Sequence, residues 1–202
     1  MSIVEDLATL TPAQIEDITR EVLDRLSGYN VQQRIFGTVD YKKARYIVLP
    51  ERLVRQALFV DSKAEKDNRT ATIQMSQTSL RVRQIRANRT VDEAGLLKPI
   101  STYDSKQYLT TTALLHFMYE DVRHEHHLRE VTICCLPNGL LQDRYNPNER
   151  DAIWLAGRDA STRGEDFRVR LSFAKLQAKA GWRVQRITYA EKKGICEGAW
   201  SE

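Results

Sequence analysis

The sequence predicts an α/β or α+β domain, in which strands of a mixed sheet are flanked by helices. Two observations favour this class. Short apolar or alternating runs typical of strands recur along the chain, and segments with helical spacing of apolar residues accompany them. The chain has 202 residues, of which 42% are hydrophobic and 29% charged, and it contains no internal repeat or obvious linker. We therefore expect residues 1–202 to form one domain.

Two segments are predicted to be helices. In residues 12–27 apolar side chains recur at helical spacing, Thr11 is a suitable N-cap, Pro12 occupies the first helical position, and Gly28 follows the end. A second, shorter helix is predicted over residues 174–180.

The other regular segments are predicted to be strands, because they alternate or form short apolar runs rich in β-branched and aromatic residues. Residues 57–60 form a short, wholly apolar run that ends at Asp61, which indicates a buried strand. Residues 70–88 fit either a helix or a strand. The predicted strands cover residues 33–40, 44–49, 57–60, 108–119, 130–136, 167–173 and 182–189.

The composition excludes several classes of protein. No run of 18 apolar residues exists, so no transmembrane helix is expected, and the N-terminus lacks the charged and then apolar segments of a signal peptide. We expect a cytoplasmic protein that does not bind membranes. Its three cysteines lack metal-site spacing, and Cys134 and Cys135 should be reduced and point to opposite faces of a strand.

The basic residues are mostly arginine. The formal net charge is only +4, but 21 residues are arginine and 10 are lysine. Arginine suits phosphate groups and guanine edges because its planar guanidinium donates two parallel hydrogen bonds. An arginine-rich surface encoded by a GC-rich genome explains the same count, and composition does not decide between the two interpretations.

Asp61 and Lys63 form the first chemical pattern. Residues two apart on a strand share a face, so this carboxylate and ammonium should project together. One interpretation is an ion pair at the sheet margin worth about 0–1 kcal/mol. The other is a metal ligand beside a lysine that orients a water molecule.

A second carboxylate favours the metal site. Asp40 closes an apolar run twenty-one residues before Asp61, a gap that suits two neighbouring strands and places both carboxylates at one end of a sheet. Carboxylates without histidine or cysteine favour Mg²⁺ over zinc. Mg²⁺ beside a lysine serves phosphodiester hydrolysis, because the metal activates water and the lysine stabilises developing charge.

The spacing Asp40…Asp61-x-Lys63 resembles the signature of the PD-(D/E)xK nuclease superfamily. The wider sequence is similar to one of its branches, the SfiI-type restriction endonucleases. The similar segments follow in order along residues 12–190. They are RIFGTVDYK (34–42), LFVDSKA (58–64), TIQMSQ (72–77), HFMY (116–119), RYNP (144–147), RGE (163–165), RVR (168–170), WR (182–183) and ITY (187–189).

The resemblance implies a fold and a set of catalytic residues. The expected fold is a restriction-endonuclease-like mixed β-sheet core flanked by helices. Asp40 and Asp61 would hold Mg²⁺, Ser62 would bind the metal through its main-chain carbonyl, and Lys63 would contact the attacking water. Glu16 lies in a segment that also resembles the family, but an exposed helix face is its favoured role.

The resemblance also implies a DNA-contacting strand. Arg168 and Arg170 share a face of the predicted recognition strand, where they would contact guanines in the major groove; the other interpretation is two solvated arginines on an edge strand. Arg158 and Arg163 lie in the preceding loop and would contact bases or phosphates.

The resulting hypothesis is a type II restriction endonuclease. It would cut double-stranded DNA with Mg²⁺ at a short, interrupted palindrome containing G·C pairs, and would leave a 5′-phosphate and a 3′-hydroxyl. A palindrome implies a homo-oligomer, either a dimer or a tetramer. The alternatives are a non-catalytic DNA-binding protein on the same fold and a structure-specific repair nuclease.

Other polar features are less specific. The histidines at 124, 126 and 127 are predicted to lie in a solvated loop, and His116 to be a core histidine. The arginines at 81, 83, 86 and 89 fit a solvated face and a phosphate-tracking surface equally well. Gln74 and Gln77 would lie beside the active site in a role that the sequence does not define.

Overall fold

The computed structural model describes thirteen strands and two α-helices in the parts of the chain whose placement is defined. The described residues are 31–35, 44–48, 55–66, 70–86, 88–103, 105–123, 125–136, 138, 141–157, 168–190 and 195–199. The strands are β1 Val31–Ile35, β2 Ala44–Val48, β3 Gln56–Lys66, β4 Thr70–Ile73, β5 Val82–Arg86, β6 Arg89–Glu93, β7 Ile100–Tyr103, β8 Lys106–Val122, β9 Glu125–Leu136, β10 Trp154–Ala156, β11 Val169–Ser172, β12 Val184–Ala190 and β13 Ile195–Ala199. The helices are α1 Gln142–Tyr145 and α2 Phe173–Lys179, and 3-10 turns occupy Met75–Gln77 and Gly181–Arg183.

The main sheet has the strand order β1-β2-β3-β8-β9-β12-β13, with β7 added beside β8. β3 and β8 run parallel in register from Gln56 opposite Leu109 to Lys66 opposite Tyr119. Every other strand pair among the described residues is antiparallel. The sheet is therefore mixed, as the sequence predicts.

The long connection between β3 and β8 contains β4 and the hairpin of β5 and β6. A smaller sheet combines β4 with β10 and β11, which follow β9 in the chain. β4 pairs with β11, which pairs with β10, in the order β10-β11-β4. β5 and β6 form a separate two-stranded hairpin. A parallel pair needs such a crossover connection, because a short hairpin can join only antiparallel strands.

The largest hydrophobic cluster joins the main sheet, the small sheet and α2. Each fully buried apolar side chain of this kind contributes about 1.5–3 kcal/mol relative to an exposed one. Members from the three elements include Leu114, Cys134, Val184, Ile73, Val169, Leu171, Phe173 and Leu176. The cluster fixes the small sheet against the face of the main sheet that also carries Asp61.

Several sequence predictions are confirmed by the described segments. The strands predicted at 108–119, 130–136 and 182–189 correspond to β8, β9 and β12, and the helix predicted over 174–180 is α2. The hydroxyl of Ser172 caps α2 by accepting a hydrogen bond from the backbone N–H of Lys175. The predicted helix 12–27 lies outside the described residues.

Other predictions are wrong in position. The strand predicted from the apolar run 57–60 does not end at Asp61. It continues to Lys66, because β3 pairs with the long strand β8. The strand before Asp40 does not neighbour the strand of Asp61, because β2 lies between β1 and β3.

Two segments differ from the expected secondary structure. The ambiguous segment 70–88 forms β4, a 3-10 turn and β5 in succession. His126 and His127 belong to β9 and not to a loop; the chain turns instead at Arg123, whose φ is 52°. No helix within the described ranges is long and apolar enough to cross a membrane.

Candidate active site on strand β3

Three charged side chains share one face of β3. Side chains alternate along a strand, so Asp61, Lys63 and Glu65 point to the same side. The parallel register places His116 of β8 opposite Lys63, on the same face. The sequence-predicted pair therefore lies on an inner strand of the main sheet and not at its margin.

Asp61 and Lys63 form a partly buried ion pair. Lys63 Nζ lies 2.9 Å from Asp61 Oδ1 and 2.8 Å from Oδ2. Asp61 is 8% exposed, and the side chain of Lys63 is 28% exposed. A carboxylate removed from water to this degree requires hydrogen-bond partners, so the pair differs from a solvated surface bridge.

A third side chain completes the surroundings of Asp61. Gln77 Nε2 donates a hydrogen bond to Asp61 Oδ2 from the 3-10 turn after β4. Gln77 Oε1 accepts from the backbone N–H of Gln74 at 2.6 Å, and the Gln77 carbonyl accepts from Thr112 Oγ1 at 2.6 Å. Gln77 is buried, so this network is shielded from water.

Glu65 connects the same face to the small sheet and to a buried histidine. Its Oε1 accepts a long hydrogen bond of 3.4 Å from the backbone N–H of Thr72 on β4. Its Oε2 lies 3.6 Å from Nε2 of His116, which is 1% exposed and packs its ring 5.2 Å from that of Phe173. Burial raises the pKa of Glu65, but His116 and Thr72 together lower it by more, so the net pKa lies below the ordinary value for a glutamate. His116 is thus a core histidine, as predicted.

The described oxygen donors fit a hard divalent cation. A carboxylate has about four lone-pair sites, so Asp61 retains acceptor capacity beyond its bonds to Lys63 and Gln77. The pairing of β2 with β3 ends at Val60, so no described strand covers that edge of β3 at Ser62. Within the described ranges no three His, Cys, Asp or Glu side chains are arranged so that they could hold a metal ion together. Asp40 lies outside those ranges.

Arg168 and Arg170 lie at the start of the central strand of the small sheet. Val169 and Leu171 are buried, so the arginines that alternate with them point away from the core and are partly exposed. Arg170 pairs with Thr72 on β4. Arg158 and Arg163 lie outside the described residues.

Part of the basic run is engaged within the molecule. Arg81 Nε and Arg83 Nε lie 2.5 and 3.4 Å from Asp92 Oδ1, across the β5–β6 hairpin. Arg83 Nη1 also donates to the carbonyl of Pro147 at 2.6 Å. These two arginines therefore stabilise the hairpin and its attachment to the segment after α1.

Sequence reasoning missed Glu65, and it placed Gln77 beside the site without defining its role. Glu65 continues the i, i+2, i+4 pattern of Asp61 and Lys63. A predicted strand that extended two residues beyond Lys63 would have included it on the same face. The bond between Gln77 and Asp61 has no signal in the sequence, because it depends on the path of the crossover.

Three comparisons with known proteins find similarity to the same group of proteins. A model of the family described as "Type II restriction enzyme SfiI" matches residues 11–187. The curated protein "Type II restriction enzyme SfiI" from Streptomyces fimbriatus is 28% identical over 198 residues, which cover 93% of this chain and 74% of the relative. A solved structure described as tetrameric restriction endonuclease SfiI bound to cognate DNA matches with a TM-score of 0.75 and 26% identity, over 92% of this chain and 73% of that one.

The structural match confirms the predicted restriction-endonuclease-like fold, and the sequence matches extend across β3, the 3-10 turn and β11. The chain belongs to the SfiI family of type II restriction enzymes.

Proposed function

We propose that this protein is a type II restriction endonuclease that uses Mg²⁺ to hydrolyse double-stranded DNA at a short, interrupted palindrome containing G·C pairs. The products would be a 5′-phosphate and a 3′-hydroxyl. The observation that carries the proposal is the buried Asp61–Lys63 pair on an inner strand of a chain that belongs to this family.

The proposed catalytic residues are Asp40, Asp61 and Lys63, and the main-chain carbonyl of Ser62 joins the two carboxylates as a metal ligand. When bound, Mg²⁺ polarises the phosphate and lowers the pKa of a bound water. Two observations support the proposal. The carboxylate of Asp61 is held by a bond from Lys63, and Ala44, four residues after Asp40, pairs with Val60 beside Asp61.

Lys63 has the second role at the site. Its ammonium lies within 3 Å of Asp61 and remains partly exposed to solvent. There it would hold the attacking water by a hydrogen bond and stabilise negative charge on the phosphate.

The proposed DNA contacts lie on and before β11. Arg168 and Arg170 would donate to guanine edges, and Arg158 and Arg163 would contact bases or phosphates. A palindromic site is contacted by a symmetric assembly, so we propose a homo-oligomer, a dimer or a tetramer. The solved relative, described as a tetramer on cognate DNA, supports this proposal.

The experiment compares the wild-type protein, Asp61→Asn and the surface control Asp143→Asn on plasmid DNA with Mg²⁺. Asp143 is exposed on α1 and makes no contact used in the site. Discrete bands from the wild type and the control, with intact but bound DNA for Asp61→Asn, support the proposal. Cleavage by Asp61→Asn at the wild-type rate contradicts the site.

Two further outcomes separate the alternatives. Retarded but uncut DNA with wild-type protein would indicate a non-catalytic binding protein, and a smear or a preference for branched DNA would indicate a structure-specific nuclease. Sequencing the ends of the discrete fragments identifies the target bases, the spacer length and the end chemistry together.

A further inference from the structure

The carboxylate of Asp61 is bonded by two donors of different kinds. Lys63 Nζ lies 2.9 Å from one carboxylate oxygen and 2.8 Å from the other, so it does not distinguish between them. Gln77 Nε2 donates to Oδ2. Because the last torsion of an aspartate side chain is broad, a donor on one oxygen is what selects a carboxylate orientation.

Gln77 is itself held rigidly. Its Oε1 accepts from the backbone N–H of Gln74, so the amide nitrogen is the atom directed at Asp61. Its main-chain carbonyl accepts from Thr112 Oγ1 on β8, the strand that pairs with β3. Gln77 is 3% exposed, so water does not compete for these bonds.

The charge of the donor matters as well. Lys63 neutralises the carboxylate that it contacts, whereas the amide of Gln77 is neutral. A bond from Gln77 therefore orients Asp61 without reducing the negative charge that attracts a divalent cation.

We propose that Gln77 is a positioning residue of the metal site: it fixes Oδ2 of Asp61 so that the free acceptor sites of the carboxylate face the cation. This inference rests on the proposed function, because it assumes that Asp61 is a metal ligand. Removing a side chain that orients a metal ligand in this way costs about 10–100-fold in metal affinity or activity.

The experiment uses Gln77→Met, with Gln84→Met as the matched control. Both glutamines are buried, at 3% and 2% exposure, and both substitutions replace an amide with an apolar chain of similar length. Neither amide atom of Gln84 has a hydrogen-bond partner among the described residues, and β5 does not contribute to the site.

Two quantities are measured for each full-length variant. The first is the dissociation constant for Mn²⁺, from the electron paramagnetic resonance signal of the free ion. The second is the Mg²⁺ concentration that gives half the maximal rate of plasmid cleavage. We expect both to rise about 10–100-fold in Gln77→Met and to stay at wild-type values in Gln84→Met. We also expect high Mg²⁺ to restore most of the Gln77→Met rate.

Equal values for the two variants would overturn the role of Gln77. The proposed function would still stand in that case if Asp61→Asn binds no Mn²⁺ and does not cut. If Asp61→Asn binds Mn²⁺ and cuts as the wild type does, the proposed metal site itself is wrong.

Gln77→Asn tests the same role if Gln77→Met does not fold. A carboxylate at this position would have no donor for Asp61 when it is ionised and would add a charge, whereas Gln77→Asn withdraws the donor by one methylene without adding a charge. We expect the dissociation constant for Mn²⁺ to rise in Gln77→Asn as in Gln77→Met. A wild-type dissociation constant in Gln77→Asn would overturn the inference.

Discussion

Oε2 of Glu65 lies 3.6 Å from Nε2 of His116, on the face of β3 that also carries Asp61 and Lys63. His116 is fully enclosed, and the other oxygen of Glu65 accepts from the backbone of β4. The carboxylate therefore links the two sheets beside the candidate site, and its ionised form is the one that these contacts stabilise.

This contact predicts a dependence of stability on pH. The pKa of Glu65 is lowered in the folded state, so the ionised carboxylate stabilises the fold fully above the ordinary pKa of a glutamate, and the stabilisation is lost as the pH falls through the folded-state pKa. We expect Glu65→Gln to lower the free energy of unfolding by a constant amount near neutral pH, and the difference from wild type to shrink in acid. Urea unfolding at a series of pH values measures it. A difference that grows in acid would contradict this assignment.

The arginines of β11 and of the hairpin should behave differently toward DNA. We expect Arg170→Ala to cost about 1–3 kcal/mol of discrimination between the target site and random duplex, because the proposed bidentate contact with a base would be lost. Arg81 is paired with Asp92, so Arg81→Ala should leave that discrimination unchanged. Competition binding at fixed salt measures both. An equal loss on target and random DNA would assign Arg170 to the phosphate backbone.

Gly157 should tolerate no side chain. A Cβ placed there would collide with the carbonyl group of Arg168, at the start of β11, the strand that we propose contacts DNA. We expect Gly157→Ala to lower the free energy of unfolding by about 1–3 kcal/mol, as overpacking does, and to weaken target discrimination. Gly181→Ala is the control, since nothing lies within 4 Å of its Cβ position. Thermal unfolding compares the two, and equal stabilities would contradict the close approach.

The adjacent thiols of β9 should resist alkylation. Burial raises the pKa of both Cys134 and Cys135, although nearby Arg183 partly offsets the effect at Cys135. Since the thiolate is the reactive form, we expect iodoacetamide at pH 8 to leave Cys134 unmodified and to modify Cys135 slowly until urea unfolds the chain. Mass spectrometry of the peptides identifies each site. Rapid labelling of Cys134 in the folded protein would show that β9 is not enclosed as described.

Local patterns predicted those parts of the fold that depend on local chemistry. The strands β8, β9 and β12 and the helix α2 are predicted from the sequence, as is the shared face of Asp61 and Lys63. The relation between Asp61 and Gln77 was not predictable, because it joins residues sixteen positions apart through a 3-10 turn. The length of β3 was missed for a related reason, since its second half is stabilised by pairing with β8 and not by its own apolar content.

The parallel pairing of β3 with β8 has a consequence for how the protein folds. Each pair joins residues 53 positions apart, such as Gln56 and Leu109, so the chain must close a long loop before the strand of Asp61 gains its inner neighbour. Closing a long loop slows folding, because the chain loses conformational entropy before contacts between its distant parts can stabilise the fold. Gln77 belongs to that loop, so it reaches Asp61 only when the loop has closed. The carboxylate of Asp61 is therefore expected to acquire its final orientation late, once the whole crossover has docked, so a partly folded chain would lack an organised candidate site.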